Sequence, residues 1–435
     1  MKNRLAAALA ALMMIFMTAC GTGASSASAA DEKTETLITA VPASAAESSA
    51  AVETETTDAE ADTARVASLT TAANVSSDGA IDASELFTER DLLQTAELDE
   101  AVNTTLSSGE NVTITSSGVY VFSGTVTEVT ILVDAGDEDK VQLVLDGVNI
   151  TNSDFPCIYV KSADKVFVTT TDSENSLTVT GAFASDSETN TDAVVFSKDD
   201  LVLNGLGTLT VSSSDNGISG KDDLKITGGT LVIRASGHAI EANDSMCIAD
   251  GTITLMAGKD GLHAADDSDA STGYVYICGG TLTIQAVDDG IHAVTIVQID
   301  GGEISISAAE GVESTWIQIN GGEISISASD DAVNAASKTR AYTTCFEMNG
   351  GMLTVSMGAG DTDAIDSNGN LIINGGTIDI TAQSPFDYDG TAQYNGGTII
   401  VNGVETNTIT NQMMGGMGGG MQGGFGGMGG PGGHG

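Results

Sequence analysis

Aromatic side chains are scarce in this sequence: they make up 4% of its 435 residues, with one tryptophan, against 53 glycines. An ordinary mixed α/β enzyme core, filled by bulky side chains, is therefore not expected. The 41% apolar content can still bury a large interior of small aliphatics. Positive charge is also scarce. Fifteen lysines and arginines stand against 60 aspartates and glutamates, a formal charge of −45, so repulsion excludes nucleic acid and anionic lipid surfaces as partners. Cations are the expected company. There are five cysteines, and the spacings of Cys157, Cys247, Cys278 and Cys345 match no zinc or redox motif. They read as isolated thiols, with at most one disulfide whose pairing the sequence does not assign. After the first twenty residues no apolar run is long enough to cross a bilayer.

Those twenty residues carry Lys2 and Arg4, an apolar run from Leu5 to Phe16, and the ending Met17-Thr18-Ala19-Cys20-Gly21. This is a secretory signal with a lipobox-like end. It predicts lipidation of Cys20 and anchoring to the outer face of a bacterial cell membrane, with no other membrane contact. Residues 21–80 are mostly Ala, Ser, Thr and Glu and read as a disordered tether. Residues 412–435 are a Gly/Met-rich tail of the same character. Residues 81–411 remain as the folded domain, expected to be a monomer.

A repeat runs through it: a short apolar-alternating strand, a glycine turn, a second alternating strand, then a small acidic turn. The turn glycines are Gly207, Gly229, Gly251, Gly280, Gly302, Gly322, Gly351, Gly376 and Gly397, a unit of about 22 residues with insertions. Such a unit cannot bury its own apolar face, and stacking copies does so. The expected fold is an all-β, right-handed parallel β-helix. The segment from Ser84 to Leu98 is expected to hold a short helix.

The acidic turns align. Ile218, Ile240, Leu262, Ile291, Val312, Val333 and Ile365 form one inward column. Asp260, Asp289, Glu310, Asp331 and Asp363 form one outward column, and Glu241, His263, His292, Glu313, Asn334 and Asp366 another. Carboxylates stacked at every rung repel unless something neutralises them, and Ca2+ accepts many oxygens in loose geometry. The expected calcium ligands are Asp260, Asp288, Asp289, Glu310, Glu313, Asp330, Asp331, Asp363 and Asp366. His263 and His292, in adjacent coils, leave a transition-metal reading open. In the strand before each glycine turn, Tyr274, Tyr276, Gln298, Trp316 and Gln318 are expected to face outward as a platform for sugar rings.

The chain resembles the bacterial surface lipoproteins known as carbohydrate-binding domain proteins, a calcium-loaded right-handed β-helix family related to family-nine pectate lyases. The resemblance is carried by Lys140-Val141-Gln142-Leu143-Val144-Leu145-Asp146-Gly147-Val148-Asn149-Ile150, Ser197-Lys198-Asp199-Asp200-Leu201, Lys221-Asp222-Asp223-Leu224, Asp288-Asp289-Gly290-Ile291-His292 and Glu310-Gly311-Val312-Glu313. It implies calcium at the Asp289, Glu310 and Asp331 turns and sugar binding as the activity. It does not extend a calcium site to Gly237-His238-Ala239-Ile240-Glu241, where the acidic-glycine pair is missing, and alanine replaces glycine after Asp330-Asp331. The expected partner is a polysaccharide, either a cell-wall glucan or an acidic polyuronate bridged by calcium. The competing readings are a polysaccharide lyase with Lys259 as the base and a structural rod of the cell envelope.

Overall fold

The computed structural model describes residues 34–38 and 81–411, except 187–188, 267, 269–270 and 359–361. The chain divides into Met1–Lys33 and Thr34–Gly435, and only the second unit is described. Cys20, the Gly/Met tail and most of the tether lie outside the described residues. No helix among the described residues is long and apolar enough to cross a membrane.

The alternating apolar runs form the strands of a parallel β-helix with three strands per coil. Leu262–Ala264, Tyr274–Ile277 and Thr281–Ala286 make one coil, and Asp289–Ile299 with Glu303–Ala308 make the next. Strands of successive coils pair in parallel, as in Leu262↔Ile291, Val275↔Val297 and Leu282↔Ile304. The expected inward column is continuous from Ile218 to Ile365. All seven of its side chains are buried in one core cluster. Small aliphatics suffice because the interior is narrow and each coil packs only on its neighbours.

The glycine turns have a steric reason. Gly302 has φ +99°, and a Cβ there would lie 3.1 Å from the Gly279 carbonyl oxygen of the coil below. Any other residue would be both strained and crowded. The positive-φ column runs from Gly229 to Gly397, but in the first coil it is Gly205, not Gly207, that takes the left-handed conformation.

The ends of the stack are closed differently. Thr34–Ile38, inside the expected tether, forms a strand that pairs in parallel with Glu110–Ile114. The edge of a terminal coil offers unpaired backbone groups, and this short alternating segment takes them up. At the other end Thr398–Val401 pairs antiparallel with Val404–Thr406. The turn between them is Asn402 and Gly403, with φ of 52° and 78°, the left-handed pair a tight hairpin requires.

Residues 81–94 form a strap across the outside of the second strand column. A 3-10 turn at Ala83–Glu85 precedes helix Glu89–Leu92, capped reciprocally by Thr88 and Asp91. The Ile81 N–H donates to Gln298 Oε1 at 2.7 Å, and the Phe87 ring lies 6.4 Å from that of Tyr276. Asp91, fully buried, faces Lys165 at 3.5 Å and Lys225 at 3.7 Å. The Gln94 side chain donates to the Thr227 carbonyl and accepts from the Gly205 N–H. The strap thus touches coils from the one holding Lys165 to the one holding Gln298, a span of roughly 24 Å at the inter-strand spacing.

Candidate functional site

The two outward columns of the acidic turns form a continuous ridge. Ser219, Glu241, His263, His292, Glu313, Asn334, Asp366 and Asp387 are successive partners in the strand register. Two residues before each inward side chain stand Asn216, His238, Asp260, Asp289, Glu310, Asp331 and Asp363. A register this strict brings side chains from neighbouring coils within hydrogen-bond reach.

In the N-terminal half of the ridge, acids are matched by imidazoles. His263 Nδ1 lies 2.6 Å and His238 Nδ1 3.2 Å from the same atom, Asp260 Oδ2. His292 Nδ1 sits between Asp289 Oδ2 at 2.8 Å and Glu313 Oε2 at 2.9 Å. The three rings stack, with centroids 4.2 and 4.9 Å apart. Burial alone would depress His292, but its hydrogen bonds to Asp289 and Glu313 outweigh that and push its pKa up to about 9. Although Asp260 is buried, its two histidines hold its carboxyl well below the usual range. Asp260 and Asp289 were expected as calcium ligands through oxygens that here face imidazoles.

In the C-terminal half, among the described residues, only Glu313 is reached by an imidazole, that of His292. Lys338 reaches Glu313 at 2.5 Å, and the other contacts are polar but neutral. The Asn334 side chain donates to Glu310 Oε2 at 3.0 Å, and the Asp363 N–H donates to Asp331 Oδ1 at 2.9 Å. Burial pushes Glu310 up to about 7, and the neighbouring Glu313 and Asp289 charges add to it. Burial, with Asp330 and Asp363, raises Asp331 to about 6. Burial and the charges of Asp331 and Asp387 raise Asp366 to about 7. Carboxyl oxygens of Asp289, Glu310 and Glu313 lie within 4.8 Å of one another. Asp288 and Asp330, also expected as ligands, are exposed on the turn outside the two columns.

The expected sugar platform keeps its register but not its access. Tyr276, Gln298 and Gln318 are outward positions of one column, yet they are 2%, 0% and 1% exposed. The strap covers the first two, and Gln318 donates to Glu347 Oε2 at 2.9 Å. Trp316 packs edge-on against Tyr342 of the insertion that follows the ridge turn, and Tyr274 is half-buried. These five side chains offer no open row of ring faces. Lys259 is exposed beside Asp260.

What lies open is a groove alongside the ridge. A cavity of about 820 Å³ is lined by residues including Arg234, Met256 and Gln285, and it meets a second of about 480 Å³ at Ala286 and Val287. Its floor is Ser and Ala from the last positions of the third strand column, such as Ser213, Ala235, Ala308 and Ala328. These stand a few residues before the ridge acids. A recurrent small residue at the end of each alternating strand was the available signal, and it was not read as a groove.

A second acidic cluster was also missed as a site. Asp200, Asp222 and Asp223 bring oxygens within 4.8 Å of one another, and burial raises Asp199, Asp200 and Asp244. The recurring Asp-Asp-Leu before the second strand was its signature. Cys157, Cys247, Cys278 and Cys345 are free, so no disulfide forms among them. Burial raises the first two and Cys345 to about 12 and Cys278 to about 11, which keeps them as unreactive thiols.

A carbohydrate-binding domain-containing protein from Acetivibrio thermocellus is 43% identical over 126 residues, which are 28% of this chain and 44% of that relative. The chain thus spans less than half of the length of that relative. A solved structure of a polysaccharide lyase-like protein from C. thermocellum, a gadolinium derivative, aligns at 25% identity with a TM-score of 0.33, covering 70% of this chain and 94% of its own. The model of the carbohydrate-binding domain-containing proteins matches residues 108–364, more than half of the sequence, and the chain belongs to that family.

Proposed function

We propose that the protein binds an acidic polysaccharide without catalysing its cleavage, through calcium held in the C-terminal half of the ridge. The observation that carries this reading is the set of half-buried acids, Glu310, Asp331 and Asp366, whose carboxyls burial and mutual repulsion push up to between about 6 and 7. A group of hard oxygens that repel one another is stabilised by a divalent ion of many-oxygen coordination. The residues fit that ion: Glu310, Glu313, Asp331, Asp363 and Asp366 would supply carboxylates, and Asn334 a carboxamide oxygen. When bound, calcium supplies a positive centre that carboxylates of the protein and of a polyuronate can share.

The chain's own residues do the rest. The groove passes from Thr178 to Gly358 beside the ridge, roughly 34 Å over eight coils, which suits an extended polymer better than a small sugar. Its Ser and Ala floor lets a flat chain approach closely, and Arg234 and Gln285 offer donors for carboxylate and hydroxyl groups. Lipidated Cys20 would hold the domain at the bacterial surface, where such polymers are met.

Affinity electrophoresis through gels containing polygalacturonate tests this. Migration is expected to slow in calcium and to recover in EGTA. Asp331→Ala and Asp366→Ala should each weaken retention by about 10-fold or more. Equal retention with and without calcium would overturn the reading, and retention by neutral glucan gels alone would move the ligand to a different class.

A further inference from the structure

The N-terminal half of the ridge does not suit calcium, and it leaves a polar atom unmet. His238 Nδ1 is buried and has no hydrogen-bond partner. It lies 3.2 Å from Asp260 Oδ2, while His263 Nδ1 occupies the same oxygen at 2.6 Å. One carboxylate oxygen thus has two imidazole nitrogens converging on it from two coils, and all three atoms lie within 4.8 Å of one another.

The donors around this point are held in place. Asp260 is 4% exposed, and its other oxygen, Oδ1, accepts the Asp289 N–H at 3.0 Å. The His238 N–H donates to Asn216 Oδ1 at 2.9 Å, fixing the turn that carries the first ring. His263 is locked in the strand register between Glu241 and His292. Orienting contacts of this kind are what a metal centre requires behind its ligands.

We propose that His238, Asp260 and His263 form a site for a single borderline divalent transition ion of the zinc class, bridging two adjacent coils. Two imidazole nitrogens and one carboxylate oxygen are a donor set for such an ion, whereas calcium selects oxygen. An ion at the point of convergence satisfies the orphaned His238 nitrogen and needs only small rotations of side chains already in place. His292 stays outside the site. Its Nδ1 is committed to Asp289 and Glu313. The site is chemically separate from the calcium reading of the C-terminal half, and either can fail without the other.

The test is calorimetric titration of the full chain with Zn2+ in saturating calcium. One zinc equivalent is expected that millimolar calcium does not displace. His238→Gln and His263→Gln should each weaken it by at least about 100-fold, while Asp331→Ala leaves it unchanged. Failure of the wild-type chain to take up zinc, or equal uptake by both histidine variants, overturns the proposal. A second measurement needs no variant: zinc should protect His238 and His263 of the wild-type protein from acylation by diethyl pyrocarbonate, read by peptide mass spectrometry. Unprotected rings overturn it equally.

Discussion

The two halves of the ridge share one backbone and differ in their outer letters. From His238 to His292 each buried acid faces an imidazole, whereas from Glu310 to Asp366 the cationic contacts among the described residues, from His292 and Lys338, both fall on Glu313. The inward column does not change across the boundary: Ile291 and Val312 are direct partners and both are buried. In a solenoid the fold is therefore specified by inward positions, and the outward positions are free to set how charge is balanced. One half carries its counter-charge as side chains, and the other leaves Glu310, Asp331 and Asp366 without a cationic partner among the described residues.

The most severe way to break the comparison is to remove what the halves share. Ile291→Asp buries a charge with no partner at the junction, at a cost of several kcal/mol. Loss of cooperative melting by circular dichroism is expected, and calcium should not restore it. Normal melting would mean that the strand register is misplaced by one residue.

A milder substitution should turn one half into the other. His292→Gln leaves Asp289 and Glu313 facing each other without the cation between them, costing about 2 kcal/mol in the absence of divalent ions. Added calcium should then recover more stability in this variant than in the wild type. Denaturant midpoints with and without EGTA read the difference, and equal calcium effects in both proteins would show that the imidazole is not acting as counter-charge.

The smallest effect separates the halves by pH. Glu310, Asp331 and Asp366 are raised to between about 6 and 7 in the folded state, above the ordinary carboxylate range. The folded chain therefore holds more protons than the unfolded one between about pH 4 and 7, and stability without calcium falls as pH rises through that window. His292, raised to about 9, contributes stability that is complete below its ordinary value near 6.5 and is lost as pH rises through 9. Melting temperatures in EGTA should fall in two steps as pH rises, and calcium should remove the lower step alone. A single step insensitive to calcium would erase the distinction.

Much of the fold was legible because a periodic sequence repeats its instructions. The column from Ile218 to Ile365 and its two flanking columns could be aligned from spacing alone, since each coil contacts only the next. The pairing of Asp260 with His263 was also present in the sequence as a three-residue spacing, but which acids receive an imidazole from the neighbouring coil depends on rotamers that spacing does not fix. Tyr276 and Gln298 were correctly placed facing outward and yet are covered. Period says which way a side chain points but not what lies across it, and Ile81 meets Gln298 from 217 residues away.

That strap has a consequence for the order of folding. A plain solenoid can nucleate anywhere and grow coil by coil, with each coil answerable only to its neighbours. Residues 81–94 emerge before the coils they cross, and their contacts with Lys165, Gly205, Lys225, Thr227, Tyr276 and Gln298 exist only once those coils have stacked. Residues 81–94 can thus dock only after the coil holding Gln298 has formed, and until they do the outer column holding Tyr276 and Gln298 stands open to water. When the strap closes, it ties together five coils that would otherwise unravel separately, so that fraying at one of them is resisted by the others. The protein carries its own late fastening at the front of the chain.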